Sequence, residues 1–181
     1  PAATPAAPAL SEIDFSADRV TYDNDSALVI AEGRVRMNRD GYYLASDRVE
    51  WNRQSGGVVA VGNVVILSPQ GDRVIGNRVV LDDKLRDGTI EDLLVVLESG
   101  GRVAARTANR TNGILTLNQA IYTPCPVTTP AGCPRKPSWT IAAAKVTRDP
   151  AEGRLRFEGG RLTILGLTLP LLPIFSIADG S

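Results

Sequence analysis

The stretch ADRVTYD at residues 17–23 returns along the chain, and this repetition decides the fold class. It recurs as SDRVEWN at 46–52 and GNRVVLD at 76–82, and more weakly as ANRT at 108–111. The copies begin at residues 17, 46, 76 and 108, so the spacing between them is nearly even. Such a spacing predicts one supersecondary unit that is used several times.

A second block keeps the same step as the first. EGRVRM at 32–37 matches VGNVVI at 61–66, and this spacing equals the one between the first two copies of the first block. Two blocks that recur in register favour a structural repeat over chance similarity between valine-rich strands. Each unit is therefore predicted to be a strand, a turn and a second strand that leads into Gly-x-Val.

Alternation of apolar and polar residues within the units assigns faces, because successive side chains of a strand point to opposite sides. Each unit then supplies one apolar and one polar row, and stacking the units buries the apolar rows in one elongated interior. The residues predicted to line that interior are Val20, Tyr22, Leu28, Ile30, Val35, Met37, Val49, Trp51, Val59, Val61, Val64, Ile66, Val79, Leu81 and Val95.

The rest of the chain supports an all-β class. Turn signals such as Asp40-Gly41, Asp87-Gly88 and Asn112-Gly113 recur between short runs rich in β-branched residues. No segment carries a sustained helical period, and the most helix-tolerant stretch, residues 81–86, is too short to be stable alone. The Pro/Ala-rich residues 1–12 are predicted to be an extended leader.

Composition narrows the function classes. The 181 residues carry 20 basic and 20 acidic side chains, so the net charge is zero and nothing indicates the basic surface that nucleic-acid binding needs. The chain has no histidine, which removes the commonest general base and metal ligand. We therefore expect no nucleic-acid partner, no cofactor, no metal site and no catalytic residues.

The repeat units resemble the OstA-like periplasmic domain of lipopolysaccharide (LPS) transport proteins. Three later segments narrow the resemblance to the stretch that precedes the outer-membrane barrel in the LPS-assembly (LptD) family. They are Ala120–Cys125, Pro137–Val146 and Leu165–Ser176, in that order. The resemblance runs from about Ile13 to the end of the chain.

The resemblance implies a twisted β-jellyroll of stacked antiparallel strands, whereas the repeat period alone also fits a β-solenoid with parallel turns. It implies that the interior residues line a groove for the acyl chains of LPS. Residues 13–160 would form the jellyroll, and residues 161–181 would be an apolar segment leading to a barrel absent from this sequence. The expected location is the cell outer membrane, with this region facing the periplasm.

Partners follow from the same resemblance. A bridge protein of the same fold is expected to pair with the first edge strand, at Ile13, Phe15, Val20 and Tyr22, unless that edge is simply solvated. An outer-membrane lipoprotein subunit is expected for the full-length protein. Five arginines are candidates for contacts to lipid phosphates, or else belong to a solvated strand face: Arg34, Arg36, Arg39, Arg102 and Arg106.

The two cysteines bracket a short proline-containing loop. In an extracytoplasmic setting a disulfide is the leading interpretation. The resemblance matches Cys125 to a cysteine that bonds to the barrel, and the nearby Cys133 departs from that pattern. We predict a local bridge between Cys125 and Cys133, with a long-range partner for Cys125 as the alternative.

Two other functions stay open from the residues. One is a structural or adhesive β-solenoid with a solid core, and the other is a polysaccharide-acting enzyme on a β-solenoid. An apolar void between the strands would favour lipid transport over the solid core, and an enzyme would need converging carboxylates.

Overall fold

The computed structural model describes residues 14–39, 41–69, 71–82, 87–96, 101–125, 135–149, 151–171 and 173–178. Its regular elements are β-strands, which confirms the predicted all-β class. The strands are β1 Asp14–Ser16, β2 Arg19–Asp23, β3 Leu28–Arg39, β4 Tyr42–Asn52, β5 Val58–Leu67, β6 Arg73–Leu81, β7 Gly88–Val96, β8 Arg102–Thr111, β9 Ile114–Thr123, β10 Trp139–Asp149, β11 Arg154–Glu158, β12 Arg161–Ile164, β13 Leu167–Pro170 and β14 Ile174–Ala178. None of the described residues forms a helix long and apolar enough to cross a membrane.

The strands form one antiparallel sheet in chain order. From β3 to β10 each strand pairs with the strands before and after it in sequence. At the two ends the sheet forks, because β1 and β2 both pair with β3, while β11 and β12 both pair with β10. Strands that follow one another in the chain are thus antiparallel neighbours, as in the predicted jellyroll. A solenoid with parallel turns would pair its strands in parallel.

Bulges at mid-strand in β3 and β5 let the sheet bend. The register shifts between Glu32 and Val35, between Ala45 and Arg48, and between Val61 and Val64, which places the irregularities next to one another across the sheet. Bulges bend strands and increase their twist. The aligned bulges form a corner that divides the sheet into two halves.

We define the two halves by their residues. The first half-sheet comprises residues 19–23, 28–32, 48–52, 58–61, 78–81, 88–91, 107–111, 114–118, 145–149, 154–158 and 174–178. The second half-sheet comprises residues 14–16, 35–39, 42–46, 64–67, 73–76, 93–96, 102–105, 120–123, 139–143, 161–164 and 167–170.

The halves share one core beside the corner. One buried cluster joins Ala31, Val49, Ala60 and Val79 of the first half-sheet to Val35 and Val64 of the second. A second cluster continues this packing toward the C-terminal end, with Leu93, Ala105, Ala108, Ala120, Ala143 and Val146. Small side chains dominate both clusters, so the halves approach each other closely at the corner.

The cross-strand pairs correct four of the predicted interior residues. Directly opposite residues of an antiparallel pair share a face. Ile30 and Val59 both lie opposite Glu50, Leu28 lies opposite Asn52, and Val61 lies opposite Arg48 and Arg78. Leu28, Ile30, Val59 and Val61 therefore face outward, and Val29, Ala31, Val58 and Ala60 take their places inside.

The error has a local cause in β3 and β5. Gly33 and Arg34, and likewise Gly62 and Asn63, all have positive φ, and each pair lies opposite a single residue of a neighbouring strand. Each bulge adds one residue relative to the partner strand. The inward residues on its two sides, Ala31 and Val35 or Ala60 and Val64, are four positions apart, so the alternation of inward and outward side chains keeps its phase across the corner, whereas the prediction shifted the phase there. The weak fourth copy of the repeat, at 108–111, is also out of step with the others. Ala108 is a buried core residue of the first half-sheet, whereas Ser46 and Gly76, with which the repeat aligns it, lie in the second.

Candidate functional site

The space between the two half-sheets is lined by four inward rows of side chains. Two rows lie beside the corner and belong to the buried clusters. The other two rows lie further from the corner, at the lips where the half-sheets separate. We call these the first lip, on the first half-sheet, and the second lip, on the second half-sheet.

The first lip is apolar over its N-terminal part. Cross-strand pairs join Tyr22 to Val29, Val29 to Trp51, Trp51 to Val58 and Val58 to Leu81. The row then passes through Gly88, Arg110, Leu115, Arg148 and Leu155. The first lip therefore changes from apolar to partly cationic along the sheet.

The second lip is apolar along its whole described length. It runs through Phe15, Met37, Leu44, Ile66, Val74, Val95, Val103, Tyr122, Ile141, Leu162 and Leu169. Among the described residues, neither lip row includes a carboxylate. Within the described residues, the two lips are therefore facing rows of mainly apolar side chains. Their charged members are Arg110 and Arg148.

The predicted interior residues that face inward fall into three groups by depth. Val35, Val49, Val64 and Val79 are almost completely buried beside the corner. Met37, Ile66, Leu81 and Val95 are half-buried on the lips. Val20, Tyr22 and Trp51 face inward but are 54%, 46% and 44% exposed, since they lie near the open N-terminal edge.

Cavities of 210 and 240 Å³ lie at the N-terminal edge, outside the apolar interior. The first is lined by Ser16, Ala17, Asp18, Arg34 and Arg36, and the second by Asp14, Ser16, Arg36, Met37, Asn38 and Tyr43. Most residues of both linings are polar or charged, so neither cavity is the apolar void that would favour lipid transport. The surface available to an apolar ligand is the exposed part of the lips.

Side chains at the corner hold these bulges in place. Arg34 pairs with Asp18 at 2.7 Å, and Asn63 Nδ2 donates to Asp47 Oδ2 at 2.8 Å in the next repeat. Asn77 donates to Asp92 in the same way. The Arg34 guanidinium lowers the pKa of the Asp18 carboxyl through its hydrogen bonds and its charge.

The outer face of the first half-sheet carries a ladder of ion pairs. Arg48 contacts both Glu32 and Glu50 at 2.7 Å, and Arg78 approaches Glu91 at 3.5 Å. Exposed pairs of this kind add little stability. They place charged side chains on the outer face beside outward apolar residues such as Val61.

The predicted arginine candidates do not gather at the lips. Arg34 is engaged by Asp18, Arg36 lies opposite Ala45 on the outer face, and Arg102 pairs across from Val96 and Thr123, also outside. Arg106 is exposed at the corner, and nothing is described of the Arg39 side chain. Among the arginines whose side chains the structure describes, Arg110 and Arg148 face inward on the first lip. The sequence prediction missed both, although Arg148 lies on the same face of β10 as the buried Val146.

The N-terminal edge of the sheet, where pairing with a partner is predicted, is formed by β1 and β2. Within the described residues, β1 and β2 pair with β3 alone, and Ile13 lies outside them. Phe15, Val20 and Tyr22 are more than a third exposed. The Arg53 guanidinium covers the Tyr22 ring at 5.5 Å and donates to its hydroxyl at 3.3 Å.

Cys125 is half-buried, and it forms no disulfide with another described residue. Its predicted partner Cys133 lies outside those residues, so the bridge stays a prediction. Hydrogen bonding from the Trp139 backbone, supported by Thr123, Ser138 and the charge of Arg135, lowers the pKa of the Cys125 thiol. A lowered thiol pKa favours the reactive thiolate.

No family model matches the chain. It is 30% identical over 137 residues to proteins named LPS-assembly protein LptD from Bordetella pertussis and Bordetella parapertussis. That alignment covers 75% of this chain and 16% of each relative, so the chain is similar to a small part of those proteins.

Among solved structures, the chain is similar to LptH from Pseudomonas aeruginosa, described as the LptA-homologous periplasmic component of the lipopolysaccharide transport device. The TM-score is 0.51 at 13% identity, over 60% of this chain and 82% of LptH. At that identity the likeness concerns the fold. The two comparisons confirm the resemblance predicted from the repeats.

Proposed function

We propose that this chain, an OstA-like domain of the lipopolysaccharide-transport kind, holds the acyl chains of LPS between its two lips and passes the lipid toward the outer membrane. The observation that carries the proposal is the pair of facing apolar lip rows, which remain partly exposed while the corner between them is filled. The relatives named LPS-assembly protein supply the substrate class.

The binding energy would come from burial of methylene groups. Each buried CH₂ contributes roughly 0.8 kcal/mol, so a few methylenes per chain are enough for strong retention. Acyl chains would lie along half-buried residues such as Leu44, Ile66 and Leu81 rather than at the corner. The small buried residues at the corner leave no room there.

Transfer requires neighbouring sites of similar affinity. A continuous pair of lips across two domains keeps the chains from meeting water between stations, which lowers the barrier to exchange. We therefore include pairing of the β1–β2 edge with a periplasmic bridge protein of the same fold. A location at the outer membrane, with this region in the periplasm, and an outer-membrane lipoprotein subunit in the full-length protein belong to the same proposal.

The second candidate is a structural domain with a solid core. It is favoured by the complete burial of Val35, Val64 and Val79. A domain of this kind would bind no lipid, because its lips would serve only to cover the core.

Neighbouring residues of one strand separate the two candidates. Val58 and Val59 are both half-buried valines of β5, and they face inward and outward respectively. We expect a photoreactive residue at Val58 to form adducts with LPS, and the same residue at Val59 to form none. Trp51 and Glu50 give a second inward and outward pair on β4.

Adducts at both faces alike would contradict a groove, since they would indicate adsorption. An absence of adducts at Val58 and Trp51 in folded protein would favour the solid core. Circular dichroism of each variant checks that the sheet is intact.

A further inference from the structure

We infer that the β12–β13 hairpin is a membrane-contact site, whose apolar tip inserts into the surface of a bilayer with anionic headgroups. We define the tip as residues 164–167, Ile164, Leu165, Gly166 and Leu167. The inference goes beyond the proposed function, because contact with a bilayer needs no lipid between the two lips.

The tip carries the most exposed large apolar side chains among the described residues. Leu165 and Leu167 are 86% and 67% exposed, and Ile164 is 43% exposed. The three side chains lie together at a turn, where two strands end. A bilayer can therefore surround them without contact to the rest of the sheet. Grouped apolar side chains on a surface mark a contact with a partner or a membrane.

Another turn of the chain shows which residue this geometry favours. The β8–β9 hairpin turns through Asn112 and Gly113, with φ of 53° and 83°. The β12–β13 hairpin turns through Leu165 and Gly166, with φ of 49° and 89°. Asparagine suits the first position because it tolerates positive φ, whereas leucine is strained there. Leu165 therefore does not serve the turn itself, and its exposure indicates a role in a contact outside the domain.

The hairpin has one apolar and one polar face. Ile164 lies opposite Leu167, on the face that continues the second lip. Thr163 and Thr168 share the other face, where their hydroxyl oxygens are 3.0 Å apart. An apolar face that ends in an exposed tip is the arrangement that a bilayer surface can bury.

Basic side chains lie next to the tip. The Leu165 backbone amide donates to the Ser138 carbonyl oxygen at 2.9 Å, and the exposed Arg135 and Lys136 come shortly before Ser138 in the chain. Basic side chains at the edge of a bilayer are attracted to anionic headgroups. The combination of an apolar tip with these cations favours an anionic bilayer over a neutral one.

The distribution of charge along the chain supports the same occupant. Residues 99–148 and 159–178 contain no aspartate or glutamate, although the whole chain is neutral. The tip and its basic neighbours lie within these two ranges. A second copy of the chain at this surface would bring like charges together, which disfavours self-association there.

Flotation with large unilamellar vesicles that contain no LPS tests the site. The full chain is mixed with vesicles of phosphatidylcholine and phosphatidylglycerol, or of phosphatidylcholine alone. We expect the wild type to bind the anionic vesicles, and L165N/L167T to bind them about tenfold more weakly, since two leucine side chains no longer enter the bilayer. R135Q/K136Q should also bind about tenfold more weakly, on the anionic vesicles only.

Two controls separate membrane contact from general effects. Ile174 is 54% exposed in β14 and lies opposite Glu158 on the outer face, so I174T removes an apolar side chain of similar exposure away from the tip. It should leave vesicle binding unchanged. Thermal unfolding gives the second control. L165N introduces the residue of the β8–β9 turn, so its Tm should equal or exceed that of the wild type.

Four outcomes would overturn the inference. Unchanged vesicle binding by L165N/L167T, or an equal loss in I174T, would mean that the tip is not the contact. A lower Tm of L165N would assign Leu165 a structural role. Self-association of the wild type that L165N/L167T abolishes would assign the tip to a second copy. Failure of the wild type to bind either vesicle would remove the membrane site and leave the proposed acyl-chain binding, which adducts at Val58 test, unaffected.

Discussion

At the scale of single residues, the repeat motif is explained by the corner. The aspartate of the first block and the glycine of the second meet there, because Asp18 lies against Gly33 and Asp47 against Gly62. In each case a Cβ on the glycine would stand 2.5 Å from a carboxylate oxygen. The two recurring sequence blocks are therefore the two sides of one bend.

A matched pair of glycines tests this explanation. Gly62 and Gly113 have nearly the same φ, 80° and 83°, but a Cβ at Gly113 meets nothing within 4 Å. We expect Gly113→Ala to lower the free energy of unfolding by about 1 kcal/mol through left-handed strain alone. Gly62→Ala should cost about 2 to 3 kcal/mol, since it also displaces the Asp47 carboxylate from Asn63.

Urea unfolding of the two variants measures the difference. Equal losses would mean that backbone strain accounts for the whole effect and that the corner contact contributes nothing.

At the scale of strands, alternation predicted the interior correctly where one face was polar and failed where both were apolar. Val49 lies between Arg48 and Glu50, so its direction could be read from the sequence. In Leu28–Ala31 and Val58–Val61 every residue is apolar, and periodicity gives no phase. The phase there depends on the number of residues inserted at the corner, which only the cross-strand register determines.

Strand β6 offers a test of the face assignment that uses identical neighbours. Val79 is 1% exposed in the core, whereas Val80 faces outward between Val59 and Thr89. Val79→Thr buries a hydroxyl group without a partner, and we expect it to cost about 2 kcal/mol. Val80→Thr matches the neighbouring threonine and should change the free energy of unfolding by less than about 0.5 kcal/mol.

Thermal or urea unfolding of both variants gives the comparison. A larger loss at Val80 than at Val79 would reverse the assigned faces of β6 and, with them, the lip residues of the first half-sheet.

At the scale of the whole molecule, the sequence repeats become successive hairpins of one sheet. Because neighbouring strands are consecutive in the chain, the inward rows run without interruption from the N-terminal edge to the fork at β10. The class and the stacking could be predicted from the period. The inward arginines could not be predicted from the repeat, since the fourth copy at 108–111 is out of step with the corner.

The N-terminal edge is the feature of the whole sheet that bears most directly on the proposed transport. An unpaired edge strand with exposed apolar side chains is a template for another strand, and proteins normally protect such edges. Here β2 carries the exposed Val20 and Tyr22. A same-fold partner would cover these residues and extend both lips.

Two threonines of one outward row allow this pairing to be tested. Thr21 lies on the edge strand opposite Ile30, and Thr89 lies in mid-sheet opposite Val80 and Asn109. With purified LptH, which has a similar fold, a photoreactive residue at Thr21 should crosslink the two proteins, and one at Thr89 should not. Mass spectrometry of the adducts would identify the partner strand. Equal crosslinking at both positions, or a complex that forms without crosslinks at Thr21, would place the contact elsewhere and leave the β1–β2 edge as a solvated end of the sheet.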